Sequence, residues 1–170
     1  YLTVASGGMA NSTTVNGGSL SVSSGGIANS TTVNGGSLSV SSGGMVNGTT
    51  VNGGGLTVSS GGTANITTVN SGGRITVYYY GTANGTTVSN GGQLLISSGG
   101  MATDTTVNSG GSLDVASGVT ATDTTVNSGG SMTVDSGGMV NGTTVSNSGQ
   151  LWISSGGIAN STTVNGGSLS

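Results

Sequence analysis

The sequence predicts an all-β chain wound as a single-stranded parallel β-helix, a right-handed solenoid of about nine coils of 18 to 19 residues. Three observations lead there. Thr-Thr-Val occurs nine times, beginning at Thr13, Thr31, Thr49, Thr67, Thr86, Thr105, Thr124, Thr143 and Thr162, spaced by 18 and then 19 residues. An apolar column keeps the same period through Leu2, Leu20, Leu38, Leu56, Ile75, Leu94, Leu113, Met132, Leu151 and Leu169, each followed two residues later by Val or Ile wherever the chain continues. Glycine pairs, among 37 glycines and no proline, punctuate every repeat. A disordered Gly/Ser linker shares this composition, but it does not keep apolar residues at one position for nine cycles.

Residues 17 to 34 show the unit clearly. Leu20-Ser21-Val22 alternates apolar and polar, and Thr31-Thr32-Val33 is β-branched throughout, so both segments favour strand. Repeated glycine pairs disfavour helix. Ser-Ser-Gly-Gly and Asn-Gly-Gly supply turns at positive φ. The expected order is therefore strand, turn, strand, turn. Alternation sends Leu20, Val22, Ala28, Thr31 and Val33 inward and Ser21 and Thr32 outward. The columns agree with this division: the alanine column varies only to Val46 and Val140, whereas the place between Leu and Val holds Ser, Thr, Leu, Asp or Trp. The step from 18 to 19 residues falls in a turn, Asn52-Gly53-Gly54 becoming Asn70-Ser71-Gly72-Gly73, which leaves the core register intact.

A single coil buries too little apolar surface to offset the ordering of its own backbone, so coils must stack. Stacking at about 4.8 Å gives each strand hydrogen-bonding neighbours above and below and aligns Asn and Thr side chains into ladders. Nine coils make a rod of roughly 40 to 45 Å. Both ends fall inside a repeat, so residues 1 to 170 are expected to be one repeat segment of a longer chain, uncapped at both ends.

The charged residues are Arg74, Asp104, Asp114, Asp123 and Asp135 alone. One cation cannot neutralise several phosphates, which sets nucleic-acid binding aside. With no Cys and no His, disulfides, thiol chemistry, zinc sites and the usual general base are excluded, and no cofactor or metal is expected. No run is apolar enough to cross a bilayer, so the segment is expected to make no membrane contact.

Asp104 and Asp123 share a column on neighbouring coils, a spacing of about 5 Å that invites comparison with paired-carboxylate hydrolases. Ser12, Gly48 and Ile66 hold the same variable place, however, which marks a solvated turn and argues against an enzyme. No Asp-bearing calcium nonapeptide recurs. The outward column from Thr14 to Thr163 is a row of methyl and hydroxyl groups like those of ice-binding solenoids, which present two ranks of Thr on one face; ice binding is the alternative function. Asn-x-Ser/Thr triplets such as Asn29-Ser30-Thr31 arise automatically from a turn Asn placed before a strand Thr. Tyr78-Tyr79-Tyr80, Leu95 and Trp152 break the polar pattern and are candidate surface contacts for a partner or glycan. Residues 84 to 102 and 141 to 159 match closely, through Gln93-Leu94-Leu95 and Gln150-Leu151-Trp152, as expected from duplication of a three-coil block.

The stretches Ser24-Gly25-Gly26-Ile27-Ala28-Asn29-Ser30-Thr31-Thr32-Val33-Asn34 and Ser109-Gly110-Gly111-Ser112-Leu113-Asp114-Val115 resemble the stalk repeats of AIDA-type self-associating autotransporter adhesins. The resemblance runs through the whole chain. It implies a passenger β-helix exported to the bacterial cell surface and attached to the outer membrane through a C-terminal barrel outside this segment. It further implies adhesion, autoaggregation and biofilm formation, with the partners being other copies on neighbouring cells and host or abiotic surfaces. Several members of that family carry O-linked sugars added by a cytoplasmic heptosyltransferase. The matching acceptor candidates here are the hydroxyls of the Ser-Ser-Gly-Gly turns: Ser23, Ser24, Ser41, Ser42, Ser59, Ser60, Ser97, Ser98, Ser154 and Ser155. The tyrosine coil, Ser117-Gly118-Val119 and Asp135-Ser136 depart from the turn pattern.

Overall fold

A computed structural model describes residues 1–170 and contains only strands and turns. Every strand pairs in parallel with the equivalent strand of the next coil, so the chain is a parallel β-solenoid of about nine turns. Strands carrying the Leu-x-Val motif, Ser19–Val22 among them, stack into a ten-stranded sheet. The remaining strands form a fifteen-stranded sheet. Register is kept throughout: Leu20 lies beside Leu38, Thr67 beside Thr49 and Thr86, and Leu94 beside Leu113.

The core is one continuous apolar column set. Leu20, Val22, Ala28 and Val33 are fully buried in one coil, as are Leu113, Val115, Ala121 and Val126 further along. The expected inward and outward division therefore holds, because a period-two pattern permits only one face to be buried.

Most coils have three strands rather than the expected two. In the second coil these are Ser19–Val22, Ile27–Asn29 and Thr32–Asn34. The second and third are separated by a residue in the left-handed conformation, Ser30 at φ 53°, and the same corner recurs at Ser12, Gly48, Ile66, Gly85, Asp104, Asp123, Gly142 and Ser161. In three coils the two strands run together as Met45–Asn52, Thr63–Val69 and Thr82–Val88, yet Gly48, Ile66 and Gly85 inside them keep positive φ. The corner residue resets the alternation: Ala28 points in, Asn29 out, and Thr31 in again after Ser30.

At the Ser-Ser-Gly-Gly turn the second glycine is sterically required. A Cβ on Gly26 would lie 2.3 Å from the Val4 carbonyl oxygen of the preceding coil, and one on Gly100 2.3 Å from that of Val77. Val119 occupies this glycine position and is nevertheless buried. The turn changes to admit it. Up to Ser98-Gly99 both central residues have positive φ, including Tyr79 and Tyr80, which replace the serine and the glycine without altering that geometry. From Gly118 onward only the second central residue does, as at Gly137 and Gly156. The altered turn persists in the next coil, where a Cβ on Gly138 would stand 2.9 Å from the Val115 oxygen.

Candidate functional site

The outer surface is a set of columns, and each expected site residue belongs to one. Ser24, Ser42, Ser60 and Ser98 are exposed at the tip of the first turn, all with φ between 44° and 50°. Gly26 donates its backbone N–H to the Ser23 carbonyl at 2.8 Å, closing a tight turn that pushes Ser24 and Gly25 outward. Ser24 is itself exposed, so its hydroxyl is approachable. Ser23, Ser41, Ser59 and Ser97 lie one residue earlier and are half-buried. Ser154 and Ser155 are exposed but belong to the altered turn, in which Ser155 is not left-handed. The ten candidate serines thus divide into three environments. Ser12, Ser30 and Ser161 are exposed serines at the second corner, with φ 53°, the same backbone state as Ser24. Their Asn-Ser-Thr context reads as a plain turn in the sequence, and no signal there distinguishes them.

Beside that corner runs a ladder of half-buried asparagine side chains. Asn47 donates to Asn29 at 2.9 Å, Asn65 to Asn47 at 3.0 Å and Asn84 to Asn65 at 3.0 Å. A second ladder follows Thr-Thr-Val, with Asn52 donating to Asn34 at 3.2 Å and Asn70 to Asn52 at 2.9 Å. Asparagine is therefore committed to structure in these columns. In the Asn-x-Thr triplets of the inner coils the Thr is buried, as Thr31, Thr49 and Thr67 illustrate.

The outward Thr column forms one rank only, flanked by the second corner on one side and the asparagine ladder on the other; the first Thr of each pair points into the core. The two-rank face expected of an ice-binding solenoid is not formed. Asp104 and Asp123 are exposed corner residues with φ 52°. Neither lines either of the two surface depressions, one around Met101, Thr103 and Val119 and the other around Tyr1 and Thr14.

Tyr79 and Tyr80 take the two left-handed places of the serine turn, at φ 46° and 64°, and Tyr80 is 81% exposed. Tyr78 and Tyr79 meet edge to face with ring centroids 4.9 Å apart. Leu95 and Trp152 stand in one outward column of the ten-stranded sheet, with Asp114 and Thr133 between them. Trp152 is 43% exposed. The tyrosines crown a corner while Leu95 and Trp152 lie on a flat face, so they are not one patch. Partial burial beside Leu95 pushes the Asp114 carboxyl above its ordinary value; Asp135 adds to this and Arg74 opposes it.

The family described as "Adhesin of bacterial autotransporter system, probable stalk" matches residues 51–92, 81–119 and 98–149. The chain belongs to this AIDA family. Among solved structures, the AIDA repeats are similar to the TibC-catalysed hyper-glycosylated TibA 55–350 fragment, at 38% identity and a TM-score of 0.63, covering 98% of this chain and 76% of the other. No curated protein sequence matches. The AIDA match covers the tyrosine coil and the altered turn at Val119 alike, so these departures lie within the family's range.

Proposed function

We propose that this chain is a stretch of surface-displayed autotransporter passenger: a stiff adhesin rod that self-associates and accepts O-linked heptose on its serine corners. The observation that carries the reading is the column of Ser24, Ser42, Ser60 and Ser98, four exposed hydroxyls presented in one backbone geometry by successive turns. A structure with similar coils and 38% identity is hyper-glycosylated, which supports acceptor chemistry on this surface. Repetition suits a modifying enzyme, because one recognition geometry recurs along the rod. The family supports export to the cell surface, with attachment through a C-terminal barrel as the proposed anchor and residues 1 to 170 as part of a longer β-helical passenger. Ser23, Ser41, Ser59 and Ser97 are proposed as secondary acceptors because they are less accessible, and Ser154 and Ser155 as acceptors in a different turn.

The test is the intact mass of the chain produced together with an autotransporter heptosyltransferase, followed by peptide mapping. The expected result is a series of equal sugar-sized increments located first at Ser24, Ser42, Ser60 and Ser98. A bare mass under conditions that modify a related adhesin removes the acceptor role and leaves the rod and self-association intact.

A further inference from the structure

Where the serine turn changes geometry, between the coils of Ser98 and Ser117, a depression opens in the surface. Tyr79 and Tyr80 donate their backbone N–H groups to the Ser98 and Gly99 carbonyls at 2.9 and 3.1 Å, and on the far side Gly118 donates to Gly137 at 2.9 Å. No such bond joins Ser98-Gly99 to Ser117-Gly118. The Gly99 N–H and the Gly118 carbonyl are left without a backbone partner, and both residues line a depression of about 290 Å³. That size lies near the lower end of the range for small-ligand sites. Short side chains make the room: Thr120 stands where the flanking coils hold Met101 and Met139, and Thr103 and Thr122 stand between Asn84 and Asn141.

We infer that this depression binds a neutral saccharide, one ring of which stacks on Tyr80 while its hydroxyls meet the threonines beside it. The inference goes beyond the acceptor reading and does not depend on it. The Thr120 and Thr122 hydroxyls can each donate and accept, as sugar hydroxyls do, and Thr103, whose proton goes to Asn84 at 2.7 Å, still accepts. No charged residue lines the depression, so nothing there selects an ion. Tyr80 precedes Gly99 and Gly118 in the turn column, and its ring is exposed. A Cβ on either glycine would meet no atom within 4 Å, so the space between that ring and Thr120 is open. An exposed aromatic face suits the apolar face of a sugar, and the exposed thioether of Met101 adds apolar contact at the edge. At φ 64° Tyr80 also holds a left-handed place that Gly25, Gly43, Gly61 and Gly99 hold in other coils, a costly backbone state that its exposed ring does not offset by burial.

The test uses the full chain made without a heptosyltransferase, so its outcome does not bear on serine modification. The chain is offered an array of neutral oligosaccharides ending in hexose or N-acetylhexosamine, with sialylated and sulfated glycans beside them, and the strongest neutral binder is titrated by calorimetry. Tyr80→Gly restores the residue that Gly99 and Gly118 hold in this column, and Thr120→Met restores that of Met101 and Met139, so both variants are expected to keep the wild-type melting temperature. Each is expected to weaken binding by at least about tenfold, whereas Trp152→Ala on the ten-stranded sheet leaves it unchanged. Binding to no neutral glycan, binding to charged glycans only, or undiminished binding in either Tyr80→Gly or Thr120→Met overturns the site. Loss of binding in Trp152→Ala moves recognition to the other sheet and overturns it as well.

Discussion

Thr103 donates its hydroxyl to the Asn84 side-chain oxygen at 2.7 Å and ends the longest asparagine ladder of the rod. Asn84 is the fifth asparagine in that column after Asn11, Asn29, Asn47 and Asn65; Thr103 and Thr122 follow, and the ladder resumes only where Asn160 donates to Asn141. The next rung would need the Thr122 hydroxyl to donate to the Thr103 oxygen, and no such bond forms, whereas an amide donates to one neighbour and accepts from the next. The double variant Thr103→Asn, Thr122→Asn is expected to join the two segments. Each new rung contributes about 0.5 to 1.5 kcal/mol, read as a higher denaturant midpoint with an unchanged slope.

The first Thr of each Thr-Thr-Val carries a different liability. The Oγ1 atoms of Thr31, Thr49, Thr67, Thr86, Thr105, Thr124 and Thr143 are buried without a hydrogen-bond partner. A buried unpaired hydroxyl costs about 1 to 3 kcal/mol. Thr86→Val keeps the shape and removes the polar atom, so it is expected to stabilise the rod by about 1 kcal/mol. Equilibrium urea unfolding checks this; a loss of stability would mean that the hydroxyl finds a partner in solution.

Ile66 holds a left-handed corner at φ 52° with its side chain 72% exposed. A β-branched residue is costly there, and Gly48 and Gly85 hold the same corner in the flanking coils without a Cβ. Ile66→Gly is expected to gain about 1 kcal/mol, the relief of left-handed strain exceeding the entropy cost of glycine. Gly48→Ile is the reciprocal variant and is expected to lower the melting temperature.

Asp114 links stability to pH. Its carboxyl is raised above 3.8 in the folded chain, first by partial burial and then by Asp135. A raised acid binds its proton more tightly when folded, so its contribution is fully present below the ordinary carboxylate pKa and is lost as pH rises through the folded value. Mild acidification from neutrality is therefore expected to raise the melting temperature through this group. Asp114→Asn is expected to be more stable than the wild type at neutral pH and to show less of that gain on acidification. Paired thermal melts at the two pH values decide it.

The period of the sequence by itself determined the solenoid, the register, the buried columns and the family to which the repeats belong. Leu20, Val22, Ala28 and Val33 recur in equivalent places coil after coil, and a pattern repeated nine times along one axis is legible without knowing any contact. The serine turn was also legible, because Ser-Ser-Gly-Gly is a local signal. Tertiary structure alone decided the third strand of most coils, the left-handed corner at Ser30 and its equivalents, the unpaired threonine hydroxyls, and the division of the candidate serines by backbone conformation. Val119 shows the reason. Whether a Cβ fits there depends on a carbonyl of the preceding coil, 23 residues back in sequence in the flanking cases of Gly100 over Val77 and Gly138 over Val115 yet next to it in space, and the turn's φ angles answer to that neighbour.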